Sequence, residues 1–184
     1  MKLLLYCCKA KPYLYKDRGI KYTLSNNKLV DNAFTKFNPI NGKIVAECDF
    51  EVEKIYPVCY DYYQEDIFYE TENLDYDGLL EKSCLDNQQI DDYLLGDGGY
   101  AIYIKNLHIF DKPKELDNYF KYCKRIYENI EKAPQNMCYV YENPFLDERN
   151  ILISIQPQWL CKILNGEKTI EVRRKVLKGM LKNE

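Results

Sequence analysis

Near the end of the chain, KTIEVRR places Lys168, Glu171 and Arg173 within one short segment. Ile170 and Val172 alternate with Thr169, Glu171 and Arg173. The spacing therefore predicts a strand that shows Glu171 and Arg173 on one face and is entered from a turn carrying Lys168. One carboxylate between two cations stays ionised and orients them, while the spare positive charge faces a ligand. Such a group suits a phosphate, a carboxylate or the edge of a base. Lys168 and Glu171 would also serve as a proton-carrying pair if burial moves their pKa values. The plain structural alternative is a solvated ion-pair ladder on an edge strand, which contributes little to stability.

Other chemistries are pruned by counting. His108 is the only histidine and Ser25, Ser83 and Ser154 are the only serines. A histidine-rich zinc site is excluded, and a Ser-His-Asp triad would need His108, which sits in the strand-like run IKNLHIF. Neither GxxxxGK[ST] nor GxGxxG occurs, so phosphate-cradling loops of the common kinds are absent; no cofactor and no metal is expected. The eight cysteines are scattered without a CxxC pair, the pattern of reduced, mostly buried thiols in a cytoplasmic protein.

The elements that must position these residues follow from the pattern upstream. Lys2 to Cys8 is a continuous apolar run, hence a buried strand. Lys9 to Asn41 turns polar and irregular, a surface excursion with a short hairpin. GKIVAECDFEVEKI alternates, with Ile44, Ala46, Cys48, Phe50 and Val52 opposite Glu47, Asp49, Glu51 and Glu53: a long half-buried strand. Tyr56 to Asp77 is acidic, Tyr-rich and aperiodic, a loop with room for one short helix. Asp86 and Gln89 form a capping box for a helix carrying Ile90, Tyr93 and Leu94, stopped at Gly96. Tyr100 to Phe110 is a second long strand. From Pro113, the positions Leu116, Tyr119, Phe120, Cys123, Tyr127 and Ile130 recur at helical spacing. Met137–Tyr141 and Ile151–Ile155 are short strands, and Pro157 opens a helix with Trp159, Leu160, Ile163 and Leu164 on one side, closed at Asn165-Gly166. Six strands with two or three helices between them predict an α+β architecture, a small mixed β-barrel with flanking helices or a curled sheet.

With 184 residues, of which 46% are apolar and 30% charged, the chain fills one domain over 1–184. A mean hydropathy of −0.52 and the lack of a long apolar run exclude a membrane helix, and the opening MKLLLYCCKAK does not read as a secretory signal. The net charge of −3 hides blocks: +7 over residues 1–45, −14 over 46–99, zero over 100–154 and +4 over 155–184. Basic ends that lie close together, as domain termini often do, make a face that steers anions.

The segment ILISIQPQWLCKILNGEKTIEVRR resembles the opening of ASCH domains, members of the PUA-like superfamily, whose signature is G-x-K-x-x-E-x-R. Here it reads Gly166, Lys168, Glu171 and Arg173. The first strand with Tyr6, GKIVAECDFEVEKI, the segment CLDNQQIDDYLLGDGGYAIYIKNLHIFDKPKEL and APQNMCYVYE are similar to the remaining ASCH segments. The order differs, because the signature usually comes first. The resemblance implies a circular permutant, with residues 1–142 supplying most of the barrel and 150–176 completing it; the competing arrangement is a whole domain followed by a truncated second copy.

PUA-like domains mostly bind RNA, so the resemblance implies a module for RNA, a nucleotide or a modified nucleobase. Gly166, Lys168, Glu171 and Arg173 would line its cleft, and Tyr6, Tyr100 or Trp159 would stack on unpaired bases. Some relatives are small hydrolases, including an amidohydrolase of acetylated cytidine and a ribonuclease. In that amidohydrolase the position of Glu171 is a threonine nucleophile, so its mechanism does not transfer intact; Lys168 and Glu171 would be the catalytic pair here. A third expectation is an accessory protein, of bacterial or phage type by its Lys, Asn, Ile and Tyr bias, whose acidic segment 46–99 docks a basic protein partner.

Overall fold

A computed structural model describes residues 1–8, 21–25, 28–33, 40–60, 67–146 and 148–181. Among these, in chain order, the strands are β1 (Leu3–Cys7), β2 (Lys21–Ser25), β3 (Lys28–Ala33), β4 (Ile44–Tyr60), β5 (Ile67–Glu70), β6 (Gly99–Lys114), β7 (Phe120–Cys123), β8 (Ile126–Asn129), β9 (Met137–Tyr141), β10 (Arg149–Ile155) and β11 (Ile170–Arg173). The helices are α1 (Tyr76–Ser83), α2 (Asn87–Leu94) and α3 (Pro157–Leu164). The chain divides into two compact units, each built from separate stretches: Met1–Asp49 with Asn106–Asn165, and Phe50–Lys105 with Gly166–Glu184.

In the first unit β1 is central. It runs parallel to β10, with Leu3 opposite Ile151 and Cys7 opposite Ile155, and antiparallel to β4, with Leu3 opposite Cys48. Both LLLYC and the ILISI part of β10 are buried along their whole length, which is why they read as continuous apolar runs and not as alternating ones. The one polar side chain in the β10 run, Ser154, donates to the Pro134 carbonyl at 2.6 Å, so its burial leaves no unmet hydroxyl. The order continues from β10 through β9 and β7 to β8. Leu4, Tyr6, Ile44, Leu116, Tyr119, Ile130, Val140 and Leu152 form the core of this unit. The expected hairpin in 9–41 is present as β2 paired antiparallel with β3.

The helix expected from Pro113 is absent, and a hairpin takes its place. β6 runs on to Lys114, a single 3-10 turn covers Leu116–Asn118, and β7 and β8 pair with Cys123 opposite Ile126. Lys124 and Arg125 are the two loop residues, with φ of 49° and 72°. Positive φ at both positions is the I′ pattern that matches strand twist, although Asn-Gly is its usual sequence. The apolar positions mimicked a 3.6-residue period because Leu116, Tyr119 and Ile130 do reach one core, but as ends of a turn and strands.

In the second unit β11 pairs antiparallel with β6, and β5 pairs with β4. Ile55, Tyr69, Leu79, Ile90, Leu94, Ala101, Ile170 and Val172 pack as its core. The aperiodic stretch after Tyr56 is partly strand: β4 continues to Tyr60 and β5 returns, while residues 61–66 lie outside the described residues. The helix expected there starts at its far end, where the Asp75 side chain accepts from the Gly78 N–H at 2.9 Å and caps α1. The capping box on α2 is present on both sides: Asp86 accepts from the Gln89 N–H at 2.8 Å and the Gln89 side chain accepts from the Asp86 N–H at 3.1 Å. Leu95 (φ 57°) and Gly96 (φ 75°) then turn left-handed and end the helix.

The architecture is mixed, an extended sheet with three helices among the described residues. Among the described residues the pairing does not return from the last strand of the order to the first. Of the small mixed β-barrel of about six strands expected from the sequence, the mixed sheet with flanking helices is present, and closure is not formed among the described residues. Strand twist opens such an order unless shear and tilt bring the edges together. Among the described residues no helix is long and apolar enough to cross a membrane.

Candidate functional site

β11 carries the candidate group because its alternation points Ile170 and Val172 into the core of the second unit. Glu171 and Arg173 are thereby turned to the opposite face. In register, Glu171 lies opposite Ile102 and Arg173 opposite Tyr100. The approach of β6 to β11 depends on Gly99, where a Cβ would stand 2.9 Å from the Arg173 carbonyl oxygen and 2.8 Å from Leu94.

The three charged groups meet. Glu171 Oε1 accepts from Arg173 Nη2 at 2.8 Å and Glu171 Oε2 lies 3.3 Å from Lys168 Nζ. Lys168, Glu171 and Arg173 are all buried, so the solvated ladder expected as the plain alternative is not what forms. A buried carboxylate between two cations keeps each charge compensated and leaves a net positive charge. Lys168 has a further partner: its ammonium donates to the Ser83 carbonyl at 2.6 Å. Ser83 is the last residue of α1, whose C-terminal carbonyls carry the negative end of the helix dipole. The Thr169 N–H donates to the neighbouring Lys82 carbonyl at 2.9 Å. The Lys168–Thr169 turn thus satisfies two of the carbonyls that α1 leaves open.

Burial pushes the Lys168 ammonium below the ordinary lysine value, against the opposing pull of Glu171. Arg174, exposed beyond the strand end, donates through Nε to the Tyr93 carbonyl at the end of α2 and lies over the Tyr93 ring, 5.3 Å from its centroid. The cations that bracket β11 therefore serve the C-terminal ends of the two helices, Lys168 at α1 and Arg174 at α2. Between them, the Arg173 and Glu171 side chains keep 11% and 10% exposure against 2% for Lys168, so that pair is the outermost part of the group.

The structure brings together Lys168, Glu171 and Arg173, with Tyr100 in register beside Arg173 and Gly166 (φ 78°) forming the turn into the segment. Tyr6 and Trp159 belong to the first unit. Tyr6 is packed in that unit's core with Leu4 and Leu152, which leaves its ring faces covered. Trp159 is half-buried on α3. Sequence reading missed Ser83 and Gly99. Ser83 acts through its backbone carbonyl, 85 positions from Lys168, and a backbone acceptor leaves no residue-type signal. Gly98-Gly99 before an alternating strand was the available signal for a close backbone approach.

Among the described residues no cluster of His, Cys, Asp and Glu could hold a metal ion. The acidic face of β4 is met from within the chain: Asp49 pairs with Lys2 at 2.7 Å, Glu51 with Lys105 at 2.7 Å, Glu47 lies 3.6 Å from His108, and Glu53 accepts from the Tyr103 hydroxyl at 3.0 Å. His108 itself is exposed on β6. No family model, no curated protein and no solved structure matches the chain.

Proposed function

We propose that the protein binds RNA, a nucleotide or a modified nucleobase through the Arg173–Glu171 pair on β11. The observation that carries this reading is the pair itself: a guanidinium and a carboxylate joined at 2.8 Å, with the outermost exposure of the buried group. A guanidinium donates and a carboxylate accepts, and side by side they complement the adjacent acceptor and donor of a base edge. Lys168 holds the carboxylate from behind and contributes the second positive charge. Tyr100, opposite Arg173 in the ladder, is the aromatic nearest in register for stacking on a base.

The resemblance of Gly166, Lys168, Glu171 and Arg173 to the ASCH signature supports the same reading and the PUA-like assignment. The ILISI part of that segment runs parallel to the Tyr6 strand, as β10 beside β1, so the first of the ASCH-like segments pairs with part of the last. That favours a permuted arrangement over a truncated second copy. The β11 strand pairs with β6 and not with β1, so the signature strand and the Tyr6 strand are not neighbours in the ladder.

The experiment is a titration of nucleoside monophosphates and of N4-acetylcytidine, followed by NMR chemical shifts, with wild type, Arg173→Ala and Glu171→Gln. Shifts at β11 and Tyr100 that vanish in both variants support the proposal. Shifts that persist in both variants overturn it. Mass analysis of the same samples reads turnover: a deacetylated product would move the reading to the hydrolase, with Lys168 and Glu171, 3.3 Å apart, as its proton-carrying pair.

A further inference from the structure

We draw no further inference here: the strongest candidate, the apolar tip of the turn between β9 and β10, where Phe145 is 93% and Leu146 52% exposed, carries nothing because no feature of the structure shows what covers it.

Discussion

The Lys168 ammonium lies 2.6 Å from the Ser83 carbonyl oxygen at the end of α1, so this cation fastens a helix while it also faces Glu171. Removing each member of the group therefore has a different cost. Glu171→Ala leaves two buried cations facing each other and should cost about 3–5 kcal/mol. Lys168→Met leaves one carbonyl without its donor while Glu171 keeps Arg173, and should cost about 1–3 kcal/mol. Urea unfolding of the two variants checks the order; a Lys168→Met variant less stable than Glu171→Ala would contradict it.

Burial lowers the Lys168 pKa below its ordinary value of 10.5. In the folded protein this lysine then loses its proton before the unfolded chain does, so between the folded pKa and 10.5 the unfolded state binds more protons. Stability from this group rises with pH across that window. The difference in urea midpoint between wild type and Lys168→Met should shift in favour of wild type as pH approaches 10.5 from below. A difference flat in pH would mean that Glu171 fully offsets the burial.

Gly99→Ala should displace β11. Its Cβ would meet the Arg173 carbonyl at 2.9 Å, a backbone atom that cannot swing aside as a side chain can. The expected cost is about 1–3 kcal/mol. The amide shifts of residues 170–173 should move more than those of β9, which hydrogen-exchange or NMR mapping would read. Shifts confined to β9 would contradict the placement.

The Lys124-Arg125 turn can be exchanged for Asn-Gly. Positive φ at both positions disfavours side chains with a full Cβ, so the exchange should raise stability by about 1 kcal/mol. Urea unfolding reads the gain, and a variant less stable than wild type would contradict it.

Much of the fold was legible because its signals are local. The capping box at Asp86 and Gln89, the alternation of β4 and the Pro157–Leu164 helix are each contained within a few residues. The β7–β8 hairpin was not legible: its turn carries Lys124-Arg125 in place of the usual Asn-Gly, and Leu116, Tyr119 and Ile130 imitate a helical stripe while converging on one core. The candidate group was legible as residue types, Lys168, Glu171 and Arg173, but not as a buried group. Its depth depends on the end of α1 reaching the Lys168 turn, a contact between positions 83 and 168 that no local pattern encodes.

The most direct test of the β11 site is nucleoside monophosphate titration of Arg173→Ala beside wild type, read by NMR at Tyr100 and the β11 amides. Saturable shifts are expected in the wild type and roughly a tenfold or larger loss of affinity in Arg173→Ala, as for a charge-assisted donor removed from a base edge. Saturable shifts of equal affinity in both proteins would contradict it.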